Sequence, residues 1–261
     1  GGYNYDSREY GVTVNLTAGA DNVEIEPNDI TSQATPLIIG NKYKGQLSSN
    51  TDRDGYSFSV NGPSTISVDF DVPTNSSYSD YFNIYIQDGA GNILAATDTG
   101  QDGKLTAGVK DSGTYFVVIR SDRAAGGYNY DSREYGVTVN LTAGADNVEI
   151  EPNDITSQAT PLASNEEFTG QLSSNADIDF YSINMSGSGS IKLDFDAPTN
   201  SSYSDYFEYG LSDENGTILY ASSTGNDSSL TAAVASEGTY YIFIRSDRAA
   251  GGYNYDSREY G

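Results

Sequence analysis

The chain of 261 residues contains no cysteine, no histidine and no tryptophan. Without cysteine there are no disulfides and no thiolate metal sites, so a fold of this size must rest on its own apolar core. Without histidine, the usual general base at neutral pH and the commonest transition-metal ligand are both missing. The two absences together exclude the ordinary Ser-His-Asp and Cys-His triads. No glycine-rich phosphate loop precedes a helical pattern, and no apolar run reaches the ~20 residues that a transmembrane helix needs. No signal peptide is readable at the start; since residue 1 already lies inside a repeat, any export signal is expected upstream. Basic residues are few, with 13 Lys and Arg against 37 Asp and Glu and a net charge of -24. That balance repels nucleic acid and anionic membranes and favours cations, and without a long apolar run no membrane insertion is expected. Paired carboxylates for glycoside hydrolysis are compatible with this composition, but nothing singles out one pair.

What the chain does contain is repetition. The block GGYNYDSREYG stands at residues 1–11, 126–136 and 251–261, and residues 21–136 align without a gap on 146–261, a period of 125. A fixed period of this size indicates duplicated whole domains rather than a solenoid of short units. The expected organisation is the last strand of a preceding repeat with its linker over 1–20, one repeat over 21–143, and a second over 144–261 that lacks its last strand. Residues 119–162 match 244–261 and 1–37 wherever they overlap, whereas the middle of the repeat has diverged. Identical junctions impose the same rotation and rise between successive domains, so an array of them forms a regular rod or helix.

Short alternating or apolar runs bounded by Gly, Asn, Asp and Ser recur, and helical periodicity is hard to find. Strands are expected near residues 42–47, 55–60, 64–70, 82–87, 93–97, 104–109, 113–120 and 135–142. Eight short strands with turn signals such as Asp88-Gly89 and Gly91-Asn92 between them predict an all-β fold, two tandem β-sandwiches of jelly-roll type.

The segment VEIEPNDITSQATPL occurs at 23–37 and again at 148–162. Extended backbone puts residues i and i+2 on one side, so Glu24 and Glu26 point together, and Pro27 biases Glu26 toward the extended region. Asn28 and Asp29 add oxygens at a turn. A flexible shell of six to eight hard oxygens suits Ca²⁺, while Mg²⁺ prefers a tighter octahedron with several waters. The second half of such a site is expected at Asp52 and Asp54, which alternate across the turn of LSSNTDRDGYSF, with Asp177 and Asp179 as their counterparts. The alternative is a solvated acidic linker.

The succession E-x-EPND, G-x-LSS, D-x-D, Y-S and a GTYF or GTYY strand resembles the bacterial pre-peptidase C-terminal domain, a group that includes the collagen-binding domains of clostridial collagenases. The resemblance covers about residues 21–142 and 146–261. It implies a secreted β-sandwich with calcium held between the acidic leading segment and the D-x-D loop. On that matching the ligands fall at Glu24, Glu26, Asn28, Asp29, Asp52 and Asp54, and at Glu149, Glu151, Asn153, Asp154, Asp177 and Asp179. Two departures stand out: the chain has no peptidase domain, and its domains are in tandem. Collagen-contacting aromatics cannot be carried over onto it.

Tyrosine is abundant, at 22 residues. Tyr128 and Tyr130 on one face, with Arg133 and Tyr135 beyond, make an adaptable recognition surface of Tyr, Ser, Asn and Gly, a sugar-stacking platform, or half-buried strand anchors. Sequons begin at Asn15, Asn75, Asn140, Asn184, Asn200, Asn215 and Asn226, and matter only where the source glycosylates surface proteins.

These features point to a non-enzymatic structural repeat of an extracellular or cell-surface filament or giant adhesin, with calcium-stiffened junctions. The competing reading is a collagen- or carbohydrate-binding module attached to a secreted hydrolase, its partner a surface glycan or matrix protein. For the first reading the partner is a copy of the chain itself, head to tail. The final strand of the first repeat, VTVNLT, is repeated at residues 12–17, where Val12, Val14 and Leu16 form its apolar face. Either a continuous array, the preferred version, or a donor strand between subunits is expected to bring these residues into an incomplete sandwich.

Overall fold

The computed structural model describes residues 9, 11–15, 21–73, 82–122, 130–144, 146–198, 206–247 and 256–261. Among these residues the fold is almost wholly β, with two three-residue 3₁₀ turns, Thr31–Gln33 and Thr156–Gln158. No helix among them is long and apolar enough to cross a membrane.

The first repeat contributes β1 (Thr35–Pro36), β2 (Lys42–Gly45), β3 (Arg53–Val60), β4 (Ser64–Asp71), β5 (Phe82–Gln87), β6 (Ile93–Thr99), β7 (Gly103–Val109), β8 (Gly113–Ser121) and β9 (Tyr135–Ala143). One sheet runs β1-β3-β8-β5-β6 and the other β2-β9-β4-β7. Apart from the two-residue β1, which joins β3 in parallel, the eight strands are those expected from alternation. Each sheet interleaves early and late strands, the jelly-roll winding. Alternation is the cause: in β4, Ser64, Ile66, Val68 and Phe70 are buried while Thr65, Ser67 and Asp69 face outward. Residues such as Tyr56, Phe58, Ile84, Ile86, Val117, Ile119, Val137 and Val139 complete the layer between the sheets. The β5–β6 hairpin closes on Asp88, whose Oδ1 accepts the Ala90 and Asn92 amides at 2.9 and 2.8 Å.

The second repeat contributes β10 (Thr160–Pro161), β11 (Ile178–Met185), β12 (Gly189–Phe195), β13 (Phe207–Ser212), β14 (Ile218–Thr224), β15 (Ser228–Val234) and β16 (Gly238–Ser246). Its first sheet, β10-β11-β16-β13-β14, repeats that of the first repeat strand for strand; the opposite sheet holds only β12 and β15. Among the described residues, the position of β9 is held by Tyr260, bridged to Gly170, and by Gly261, which exchanges backbone hydrogen bonds with Asp196 at 2.6 and 2.9 Å. The counterpart of β2 is reduced to isolated bridges. The charges there also differ: Lys42 of β2 pairs with Asp71 at 2.8 Å, but Glu167 stands in its place next to Asp196.

After β9 the chain turns at Gly144, whose φ of 87° is open to glycine without Cβ strain. Gly144 docks on the first sandwich through its amide to the Pro63 carbonyl at 2.9 Å. The leading segment of the second repeat then passes the edge strand β7, where Ile150 bridges Gly108 and the Glu151 amide donates to the Gly108 carbonyl at 3.2 Å.

Candidate metal centre

The leading segment enters each sandwich as an extended strip. The Glu24 amide donates to the Lys44 carbonyl at 2.9 Å and the Lys44 amide to the Asn22 carbonyl at 3.0 Å. Thr35 Oγ1 accepts the Ile25 amide at 2.9 Å, and the Gly55 amide donates to the Asn28 carbonyl at 3.1 Å. These bonds fasten the strip to β2 on one side and to the start of β3 on the other. The second repeat repeats them, with Glu149 bonded to Thr169, Ile150 to Thr160 and Phe180 to Asn153. Both Glu-Pro peptides of the motif, Glu26-Pro27 and Glu151-Pro152, are cis.

This geometry collects carboxylates. One oxygen each from Glu24, Glu26 and Asp54 lie within 4.8 Å of one another, and so do oxygens of Glu149, Glu151 and Asp179. Asp54, Asp179 and the neighbouring Asn28 and Asn153 are 0 % exposed. Buried polar atoms are normally paired, since an orphan costs about 1–3 kcal/mol. Here Asn28 Oδ1, Asp54 Oδ1, Glu151 Oε1, Asn153 Oδ1 and Asp179 Oδ1 have no hydrogen-bond partner. Buried oxygens without donors beside three converging carboxylates fit a hard divalent cation, which supplies the positive charge they lack.

Burial is also the largest cause of raised carboxylate pKa values. It pushes Asp54 up to about 8, with the Tyr135 hydroxyl opposing and Glu24 and Asp52 adding repulsion. Glu149 is likewise pushed up to about 8 and Glu151 to about 10, with burial first and neighbouring carboxylates next. Glu24 and Glu26 shift upward for the same reason, and Asp177 moves to about 6. A cation in the cluster removes the repulsion and allows all of these groups to ionise.

A hydroxyl relay lies beneath the carboxylates. The Tyr135 hydroxyl donates to Asp54 Oδ2 at 2.5 Å, the Tyr56 hydroxyl is 2.9 Å from that of Tyr135, and Tyr56 donates to Glu24 Oε2 at 3.4 Å. Tyr260, Tyr181, Asp179 and Glu149 repeat the arrangement. The glycine of G-x-LSS makes room for it: a Cβ on Gly45 would lie 2.3 Å from both tyrosine hydroxyls, and one on Gly170 2.4 Å from both. The sequence leaves Tyr135 as a contact-surface residue or a half-buried strand anchor. The structure places it in the core, 2 % exposed, as a partner of Asp54. Its period-2 relation to Val137 and Val139 was the available signal.

The remaining expected ligands have other partners. Asp52 Oδ2 accepts the Ser48 amide at 2.5 Å and Asp177 Oδ2 the Ser173 amide at 2.6 Å, so each folds its own loop beside the cluster. Asp29 is exposed and accepts the Arg53 amide at 3.3 Å; Asp154 is exposed and lies against Asp177. Tyr130 is half-buried against the first core, and Arg133 grips Asp131 through Nε at 2.9 Å and Nη2 at 2.5 Å. Val12 and Val14 are exposed; Leu16 and Tyr128 lie outside the described residues. Of the sequons, Asn15, Asn184, Asn215 and Asn226 are exposed and Asn140 is half-buried, donating to Asp69 at 2.9 Å. Asn75 and Asn200 lie outside the described residues.

No model of a known protein family matches the chain. Among curated proteins it is similar to collagenase ColA of Clostridium perfringens (strain 13 / Type A), 25 % identical over 268 residues that take in 98 % of this chain and 23 % of the collagenase. The chain thus spans less than a quarter of that relative's length. Among solved structures it is similar to the pre-peptidase C-terminal domain of a collagenase from Bacillus anthracis, 17 % identical over 41 % of this chain and 93 % of that one, with a TM-score of 0.32. It is also similar to a tandem CBM22-1-CBM22-2 domain from Paenibacillus barcinonensis, 11 % identical over 78 % of this chain and 79 % of that one, with a TM-score of 0.23.

Proposed function

We propose that these two collagenase-related repeats, β-sandwiches like pre-peptidase C-terminal domains, are non-enzymatic structural units of an extracellular array, with Ca²⁺ bound at each junction. The observation that carries this reading is the place of the second acidic cluster. Glu151 belongs to it, and the same residue's amide donates to the Gly108 carbonyl of the preceding sandwich at 3.2 Å. A cation held by Glu149, Glu151 and Asp179 therefore fixes backbone that touches both repeats. The chemistry it supplies is charge neutralisation and cross-linking of the leading segment to the start of β11. Ser257, in the last copy of the tyrosine-rich block, adds a contact 3.2 Å from Thr97 of β6 in the first repeat. Stiff junctions repeated along an array give a filament or adhesin stalk whose copies meet head to tail.

Thermal unfolding with calcium and with EDTA tests the proposal. A ligand that binds only the folded state stabilises it by about 2.7 kcal/mol at a hundredfold excess over Kd. An unchanged midpoint, with no heat of calcium binding in calorimetry, rejects the metal site. A second reading, a collagen- or carbohydrate-binding module beside a hydrolase, is favoured by the likeness to collagenase ColA along 98 % of the chain. Retention of the purified chain on fibrillar collagen or on immobilised glycans, against a β-sandwich control, distinguishes it.

A further inference from the structure

Gln171 is bonded in two directions. Its backbone amide donates to Glu149 Oε1 of the second acidic cluster at 2.7 Å, and its side-chain amide donates to the Ser257 carbonyl. Ser257 stands at the tip of a turn closed by its two neighbours: Asp256, 7 % exposed, accepts the Arg258 amide at 3.1 Å and Arg258 Nε at 2.8 Å. The Ser257 hydroxyl lies 3.2 Å from Thr97 Oγ1 on β6, an edge strand of the first repeat. A carboxylate of the second cluster is thus connected to the first repeat through Gln171 and Ser257. The other two carboxylates are tied to the same contacts. The Glu151 amide donates to the Gly108 carbonyl of β7 at 3.2 Å. Asp179 Oδ2 accepts the Tyr260 hydroxyl at 2.5 Å, and Tyr260 exchanges backbone hydrogen bonds with Gly170, beside Gln171, at 3.1 and 2.9 Å.

We propose that Gln171 is a positioning residue that couples occupancy of the second cation site to docking of the two repeats, so that calcium and the Ser257–Thr97 contact strengthen one another. The inference rests on the junction metal proposed above and adds its regulation. Three carboxylates with oxygens within 4.8 Å of one another repel, so an empty site favours their separation. A cation must gather them, and each freedom already removed makes binding easier. Contact of the Ser257 turn with β6 holds the turn, the turn holds Gln171, and the Gln171 amide holds Glu149 where the cation needs it. Linkage makes the effect reciprocal: the factor that docking adds to calcium affinity is the factor that calcium adds to docking. In the first repeat Gln46 makes the same local bonds, to Glu24 Oε1 at 2.7 Å and to the Ser132 carbonyl. None of those bonds involves Thr97, which makes the first cluster an internal reference.

The test reads calcium affinity by calorimetry in two backgrounds, Glu26→Ala to isolate the second site and Glu151→Ala to isolate the first. Thr97→Val and Gln171→Met remove a hydroxyl and a side-chain amide with little change of volume. Each is expected to weaken the second site by about three- to tenfold, the worth of one hydrogen bond. Combined, they are expected to weaken it by no more than the larger single effect, because both interrupt one connection. Thr97→Ser, which keeps the hydroxyl, should retain the parent affinity, and none of these changes should alter the first site. Distances between spin labels, one in each repeat, give a readout independent of affinity: saturating calcium should narrow their distribution in the parent chain and narrow it less in Gln171→Met. Parent affinity at the second site in Thr97→Val, additive effects of the two changes, or equal weakening of both sites each overturn the coupling and leave the junction metal standing. A chain that binds no calcium in either background rejects the junction metal, and the coupling with it.

Discussion

The Tyr135 hydroxyl donates to Asp54 Oδ2 at 2.5 Å, across 81 residues of sequence. The last strand of the first sandwich is thereby bonded to a carboxylate of the acidic cluster at its start, and Tyr260 does the same to Asp179 in the second. In each repeat a tyrosine of the repeated YG block is hydrogen-bonded into the acidic cluster.

The tyrosine contact should be measurable by itself. With calcium bound and Asp54 ionised, Tyr135→Phe removes a hydrogen bond to a carboxylate, a loss of about 1.5–3 kcal/mol, and should weaken calcium binding in parallel. Gly45→Ala should do more damage, because its Cβ would collide with both hydroxyls at 2.3 Å and neither tyrosine can retreat into a filled core. Urea unfolding and calcium calorimetry of the two variants check this. A Tyr135→Phe chain with wild-type values in both would show the relay to be inert.

The pH dependence of the metal-free chain should run opposite to that of an ordinary salt-bridged protein. Asp54 and Glu149 titrate near 8 and Glu151 near 10 in the fold, against about 4 in the unfolded chain. Between these values the folded state holds more protons than the unfolded one, so stability falls as pH rises. In EDTA the melting midpoint should therefore drop between pH 5 and pH 8. With saturating calcium the carboxylates are ionised in the fold, and the trend should reverse as acid displaces the metal. Scanning calorimetry at the two pH values decides it; equal midpoints in EDTA would mean that the clusters are already neutralised in another way.

Glu26 and Glu151 occupy the same place in the motif but different surroundings. Glu26 is exposed, while Glu151 is 6 % exposed beneath the Gly108 contact. Glu151→Ala should loosen the junction and broaden the distribution of inter-repeat distances in calcium, measured by small-angle scattering or paired spin labels. Glu26→Ala should leave that distribution unchanged while still reducing calcium stoichiometry. Identical distributions for both variants would separate the metal from junction stiffness.

Much of this was legible in the sequence. Period-2 alternation located all eight long strands of the first repeat, because a strand with one buried face must alternate. The repeated VEIEPND run showed where carboxylates gather, since local backbone geometry alone aligns Glu24 with Glu26. Tertiary structure decided which oxygens converge: Asp54, at the start of β3, turns into the cluster, whereas Asp52, two residues before it, is taken up by the Ser48 amide. Between the readings open for Tyr135, it decided for the buried strand anchor, with the hydroxyl on Asp54. It also made two identical segments, 23–37 and 148–162, into unlike sites. Their local hydrogen bonds are the same because these depend on the residues themselves. Their burial differs where the second passes β7 of the first sandwich, since desolvation depends on what packs against a group rather than on its own sequence.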